Sequence, residues 1–131
     1  MRLWHYELIP YLPKSQLLAQ WRELNSIFAK EDKHVLINYI YEYPKTHLWS
    51  YTELVLAEMF ARDYNVRTFD KMHHYFQNTP DDLIEKPFDK HHDDLYLTIC
   101  YYNLYEKFMR GQKDYSVEEF AALERFYLNK Q

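Results

Sequence analysis

A stretch near the start of the chain, from Tyr11 to Phe28, carries apolar residues at the spacing of an α-helix. They recur at steps of four, three and four positions: Leu17, Trp21, Leu24 and Phe28. This spacing gives a helix one apolar face, and Pro13 suits its first turn because proline lacks an amide proton that would have no partner there. The pattern predicts a helix from about residue 13 to residue 29. Arg22 and Glu23 lie off the apolar face, where an acid and a base are most often solvated.

Further helix signals follow along the chain. Ser50 with Glu53, and Ser116 with Glu119, have the spacing of a capping box and predict helix starts, the first of which could lie a turn earlier, near Thr46. The predicted helices after the first one are a helix ending near Arg62, one around Phe69–Phe76, a short one opened by Thr79-Pro80-Asp81-Asp82 and closed by Pro87, a long one from Lys90 to Arg110, and a last one to Leu128.

The segments between these helices carry helix-breaking signals. Gly111, the only glycine of the chain, suits the left-handed terminator of the long helix. Pro10 and Pro13 argue against a helix in the lead-in to the first helix. The run His34–Tyr43 has apolar residues at period two, which is typical of a strand, but no second such run exists to pair with it. We therefore expect an extended segment there, within an all-α fold: one domain, residues 1–131, of about five helices.

Composition limits the class of protein. The chain has 131 residues, 47% of them apolar, and a formal net charge of −4, so we expect a globular domain that does not bind nucleic acid through bulk positive charge. The one cysteine, Cys100, excludes an internal disulfide and fits a reducing compartment. No apolar run approaches the roughly 20 residues of a membrane span, and the N-terminus lacks a signal-peptide core. We expect a cytoplasmic protein with no membrane partner.

The first half of the chain carries a series of residues in a characteristic order. They are Leu17, Arg22-Glu23-Leu24, Phe28, Lys33-His34-Val35, Tyr39, Glu53-Leu54, Ala57-Glu58, Arg62 and Tyr64-Asn65-Val66. Their order and spacing resemble phage-type endonuclease V, a family of pyrimidine-dimer DNA glycosylases with an attached abasic-site lyase. The opening MRLWHYELIPYLP and the later HHDDLYLTICYYNL are similar to bacterial relatives of that group.

The resemblance implies a compact all-α enzyme that acts on damaged double-stranded DNA and needs no cofactor or metal. In the family, the α-amino group of the chain attacks C1′ of the damaged nucleotide, and a glutamate matching Glu23 assists this step and the β-elimination that follows. An α-amine suits this role because its ordinary pKa of about 7.7–8.0 leaves roughly a tenth of it neutral at pH 7. A carboxylate beside it can stabilise a developing sugar cation and move protons.

This chain departs from the family pattern at several positions. Arg2 is too large for ordinary removal of the initiator methionine, so we expect the nucleophilic amine to be that of Met1, where the family has a threonine. Gln16 and Ser26 stand where the family has a DNA-contacting histidine and arginine. Arg2 and Arg22 match the family, and we expect both to contact phosphates. These changes leave open a change of substrate.

Two alternative functions follow from other features. The runs Asp70–His74 and Asp89–Asp94 contain four histidines and several aspartates, residue types that bind zinc and harder transition metals. They suggest a metal-dependent hydrolase, although adjacent histidines on a helix point about 100° apart and neither run has the HExxH spacing. The other alternative is a non-catalytic helical interaction domain on the same fold. In that case Met1 would be buried or would point away from Glu23.

Overall fold

The computed structural model describes residues 1–131 and contains five α-helices, two 3-10 helices and no strand. The α-helices are α1 (Lys14–Lys30), α2 (Lys45–Ala61), α3 (Asp70–Tyr75), α4 (Asp94–Met109) and α5 (Val117–Lys130). The 3-10 helices are Tyr6–Tyr11 and Asn38–Glu42. The all-α class predicted from the sequence is confirmed. No helix is long and apolar enough to cross a membrane.

Helix α1 forms as its apolar pattern predicts. Leu17, Leu24 and Phe28 are buried on its inner face and Trp21 is half-buried, while Ile27 is a further fully buried residue. Each fully buried leucine or isoleucine contributes about 1.5–3 kcal/mol relative to an exposed one. The inner face packs against α2 and α3, which fixes α1 at the centre of the N-terminal half.

The N-terminal segment joins the two halves of the molecule. Its 3-10 helix, Tyr6–Tyr11, packs against α2, α4 and α5, and α4 packs against α5. One continuous core of 27 buried residues results. The expectation that the lead-in is not helical is wrong in part: proline excludes an α-helix interior, but a short 3-10 helix accommodates Pro10. His5 caps that turn, since its Nδ1 accepts a hydrogen bond from the Glu7 amide at 3.1 Å.

The segment after α1 is not extended, contrary to the sequence-based expectation. Residues 35–37 form a turn and Asn38–Glu42 a 3-10 helix. The buried residues of this run are Ile37 and Ile40, and only Ile37 belongs to the period-two series; their spacing of three is the 3-10 period rather than the strand period. Val35 is 82% exposed, so the period-two pattern does not correspond to a buried strand face.

The short helix predicted from Thr79 to Pro87 does not form. The backbone amides of this segment bond to side chains of α2 instead: the Ile84 amide donates to Ser50 Oγ at 2.7 Å, and the Phe88 amide donates to His47 Nδ1 at 2.9 Å. Phe88 itself is fully buried in a left-handed conformation (φ 59°), which a helix cannot continue through.

Several predicted boundaries shift while the helices themselves are confirmed. Helix α2 begins at Lys45, so Ser50 and Glu53 lie inside it and form no capping box. Helix α4 begins at Asp94 rather than Lys90, because the Asp93 side chain accepts the Tyr96 amide as the N-cap. The capping box of Ser116 and Glu119 opens α5, and Gly111 has the expected positive φ of 87°.

Candidate active site

The first four residues of the chain lie against α1 and are held there by hydrogen bonds. The Trp4 amide donates to Gln20 Oε1 at 2.9 Å, and Gln20 Nε2 donates to the Arg2 carbonyl at 3.2 Å. From α4, the Tyr96 hydroxyl donates to the Leu3 carbonyl at 2.6 Å. Because the side chains of Leu3 and Trp4 are buried, the segment is anchored up to the residue next to Met1.

A cavity of about 180 Å³ opens where this segment meets α1 and α4. It is lined by Met1, Arg2, Trp4, Gln16, Glu23, Leu36, Asn103 and Lys107. Three of the four residues that the sequence singled out, Met1, Arg2 and Glu23, therefore meet at one site. Met1 is 42% exposed, so it is not buried by packing.

Glu23 is the only carboxylate of this cavity, and its environment is unusual. Burial raises the pKa of the Glu23 carboxyl above its ordinary value. The N-terminal amine, Arg22, the Gln20 side chain and the Arg2 backbone amide oppose this effect and lower the pKa. A partly buried carboxyl beside an amine is suited to proton transfer. The Met1 amine is close enough to act on Glu23 electrostatically, yet it is absent from the ion pairs of the protein.

The Arg2 side chain is half-buried rather than extended into solvent. Its guanidinium lies 5.9 Å from the ring centroids of both Trp4 and Tyr96. It forms no ion pair with a carboxylate. Arg2 and Lys107 thus both bring positive charge to the cavity wall.

Arg22 lies at a different site, because adjacent residues on a helix point about 100° apart. It lines a groove of about 560 Å³ between α1 and residues 65–71. The groove is lined by Trp21, Arg22, Asn25, Ser26, Ala29, Asn65, Val66, Arg67, Thr68 and Lys71. This lining has three cations, Arg22, Arg67 and Lys71, and no acid, which is notable in a chain of net charge −4. None of the three cations is ion-paired within the protein.

The two positions that differ from the family pattern fall at these two sites. Gln16 lines the Met1–Glu23 cavity, and Ser26 lines the basic groove. The Ser26 hydroxyl donates a short hydrogen bond to Asp32, whose other oxygen lies 3.8 Å from Lys30 Nζ. Ser26, where the family pattern has an arginine, is therefore paired with an aspartate that lies outside the lining of the groove.

The histidine and aspartate runs do not form a metal centre. No three His, Cys, Asp or Glu side chains converge to a site that could hold a metal ion. His73 and His74 are exposed on α3. His92 is buried and both its ring nitrogens are engaged, with Nδ1 accepting the Tyr6 amide at 3.1 Å and Nε2 lying 2.6 Å from the Tyr39 hydroxyl. His92 is therefore part of the core that holds the N-terminal segment.

Two residues of the cavity lining, Asn103 and Lys107, and one residue buried beneath it, Gln20, were not singled out from the sequence. Gln20 stands three positions before Glu23, a spacing that places two helix side chains in contact, so their hydrogen bond at 3.1 Å could have been anticipated. Lys107 and Asn103 come from α4, 84 and 80 positions away from Glu23, and nothing local in the sequence signals their proximity.

Comparison with known families agrees with this arrangement. A model of the family described as pyrimidine dimer DNA glycosylase matches residues 1–72, which include the N-terminal segment, α1 and α2. No curated protein and no solved structure matches the chain. The match covers more than half of the 131 residues and contains Met1, Arg2, Arg22 and Glu23. The chain belongs to the pyrimidine dimer DNA glycosylase family.

Proposed function

We propose that the protein removes a damaged base from double-stranded DNA and then cleaves the strand by β-elimination, through an imine formed with the Met1 amine. The observation that carries the proposal is the shared cavity of Met1 and Glu23 at the end of an anchored segment. Membership of the family supports a DNA substrate. Cyclobutane pyrimidine dimers are the first lesion to test, because they are the substrate that the family name states.

In the proposed reaction, the neutral amine attacks C1′ of the damaged nucleotide. The glycosidic bond breaks, and its electron pair leaves with the base, which takes up a proton. Opening of the sugar ring and loss of a further amine proton give an imine between Met1 and C1′. Removal of a proton from C2′ then expels the 3′ phosphate, which is the β-elimination.

Glu23 moves protons in this scheme and stabilises the positive charge that develops on the sugar. Its ionised form is the active one, because only the carboxylate accepts a proton and opposes a cation. The raised pKa of Glu23 makes it a stronger base than an ordinary carboxylate. For the same reason, we expect the acid limb of the pH–rate profile to lie at higher pH than an ordinary glutamate would give.

DNA binding is assigned to two groups of cations. Arg22, Arg67 and Lys71 of the basic groove are free of ion pairs and suited to phosphates. Arg2 and Lys107 in the cavity wall can contact the phosphates that flank the reacting sugar. The target nucleotide must leave the base stack to reach the Met1 amine, so we expect flipping or local distortion of the duplex.

Strand cleavage of three duplexes tests this proposal. One carries a pyrimidine dimer, one carries an abasic site, and one is undamaged. We expect cleavage of the first two by the wild type and none by Glu23→Gln, which keeps the shape of the side chain and removes its charge. If the dimer duplex remains intact while the abasic duplex is cut, the lyase part stands and the lesion assignment is wrong. If neither duplex is cut, the protein is an interaction domain that keeps the family fold.

A further inference from the structure

Gln20 is a buried, hydrogen-bonded polar side chain in the core beneath the active-site cavity. Its exposed fraction is 1%, which is rare for glutamine, a residue mostly found at the surface. It lies on α1, one turn before Glu23. A buried amide costs free energy unless its hydrogen-bonding groups are paired, so its partners explain its presence.

Those partners come from three different parts of the chain. Gln20 Nε2 donates to Glu23 Oε2 at 3.1 Å and to the Arg2 carbonyl at 3.2 Å. Gln20 Oε1 accepts the Trp4 amide at 2.9 Å and lies 2.9 Å from the hydroxyl of Tyr51. Both donor protons of the amide are thus engaged, and Oε1 accepts the Trp4 amide and shares the single Tyr51 hydroxyl proton with the Trp4 carbonyl.

The orientation of the Gln20 amide is determined by these partners. Nε2 faces two acceptors, a carbonyl and a carboxylate, and Oε1 faces two donors. A flipped amide would set its NH₂ against the Trp4 amide and its oxygen against the Glu23 carboxylate. Tyr51 from α2 also holds the N-terminal segment at this position, because its hydroxyl lies 2.6 Å from the Trp4 carbonyl.

We propose that Gln20 is a positioning residue that holds the segment carrying the Met1 amine and the carboxylate of Glu23 in one fixed relation. This inference rests on the proposed function. One rigid amide bridges the Arg2 carbonyl, one residue from the amine, and Glu23. Without that bridge, the Glu23 carboxylate would lose its hydrogen bond from Gln20. The first residues of the chain would then be tied to α1 through fewer hydrogen bonds. Gln20 itself does not contact the reacting atoms in this scheme.

The bridge also acts on the charge of Glu23. The hydrogen bond from Gln20 lowers the pKa of the Glu23 carboxyl and so offsets part of the effect of burial. Replacing Gln20 with leucine keeps a similar side-chain length and removes the donor. We therefore expect two separate effects from Gln20→Leu, a looser amine–carboxylate geometry and a carboxyl that ionises at higher pH.

The first experiment measures strand cleavage of an abasic duplex by the wild type and by Gln20→Leu across a range of pH. We expect kcat to fall about 100-fold, the scale of a small misplacement of reacting groups. KM should change much less than kcat, because Arg22, Arg67 and Lys71 of the basic groove lie on another face of α1 and still bind the duplex. The acid limb of the pH–rate profile should move to higher pH. The matched control is Thr52→Val, which removes a buried hydrogen bond of 2.7 Å to Leu48 within α2 and should leave the profile in place.

A second experiment reads the same link without any substrate. In the wild type, NMR signals of the Gln20 side-chain amide should shift with pH in step with the Glu23 carboxyl. In Gln20→Leu, the Glu23 carboxyl should titrate at higher pH than in the wild type. If Gln20→Leu does not fold, the titration of the wild type alone tests the inference. Chemical shifts of the Gln20 side-chain amide that do not change as Glu23 titrates would then overturn it.

The two experiments separate failure of the inference from failure of the proposed function. A wild-type protein that cleaves no abasic duplex refutes the function, while the NMR titration still tests the bridge. A wild type that cleaves, together with a Gln20→Leu variant that keeps both its kcat and its pH profile, refutes the inference and leaves the function standing.

Discussion

The buried His92 predicts how the fold responds to acid. It lies behind the N-terminal segment, with the Tyr6 amide on Nδ1 and the Tyr39 hydroxyl beside Nε2. Burial is the main cause that lowers the pKa of His92 from its ordinary value of 6.5 to about 2, and electrostatic interactions with His5 and His91 act in the same direction. Nδ1 accepts a backbone amide, so it is unprotonated, and protonation requires that hydrogen bond to break. The native state therefore keeps this histidine neutral.

The sign and size of the effect follow from linkage. A group whose pKa is lowered by folding contributes stability that is present above its unfolded pKa, here 6.5. That stability is lost as the pH falls from 6.5 towards the folded value, at about 1.4 kcal/mol per pH unit. Between pH 7 and pH 4.5, we expect His92 to account for a loss of about 2.5 kcal/mol. This is a large part of the 5–15 kcal/mol that stabilises a typical domain.

Urea unfolding followed by circular dichroism at several pH values measures this loss. His92→Asn keeps a hydrogen-bond acceptor near the position of Nδ1 and cannot titrate in this range. Although this variant is less stable at pH 7, its stability should fall less steeply with acid, by about 1.4 kcal/mol per pH unit. The control His74→Asn changes an exposed histidine of α3 and should follow the wild type. Parallel curves for the wild type and His92→Asn would refute the reasoning.

Three further changes have expected results of their own. Arg22→Ala should weaken binding to abasic duplexes of any sequence alike and reduce the salt slope of log K by about one, measured by fluorescence anisotropy; an unchanged slope would exclude Arg22 as a phosphate contact. Glu23→Gln should raise the free energy of unfolding at pH 7, where burial penalises the wild-type charge, and this gain should vanish at acidic pH, where the wild-type carboxyl is protonated. Leu24→Ala should cost about 2–5 kcal/mol in urea unfolding, whereas Leu128→Ala, 60% exposed, should stay within about 0.5 kcal/mol, and equal costs would contradict the assigned core.

The elements that could be predicted from the sequence are those determined by local periodicity and caps. The helical spacing of Leu17, Leu24 and Phe28 indicates α1, and Ser116 with Glu119 marks the start of α5. The segments that could not be predicted depend on distant partners. A strong start signal at Thr79 yields no helix because the amides beyond it bond to side chains of α2, and such competition is invisible to a local pattern.

The same division holds for the candidate site. Glu23 and Arg22 could be singled out because they stand in a recognisable series, and a one-residue step along α1 explains why they serve different sites. Lys107 could not be found, since only the packing of α4 beside the N-terminal segment brings it to the cavity. Nor could the sequence show that Arg67 and Lys71 join Arg22 in one groove free of acids.

The central claim, that the Met1 amine is the nucleophile, has a direct test. Borohydride reduces an imine and so locks the protein to abasic DNA as a stable adduct, whose attachment site peptide mass spectrometry can identify. We expect the adduct on the peptide that begins with Met1, and no adduct after acetylation of the amine, because an amide nitrogen is not a nucleophile. Attachment at a lysine, or trapping by the acetylated protein equal to that of the free one, would contradict the account.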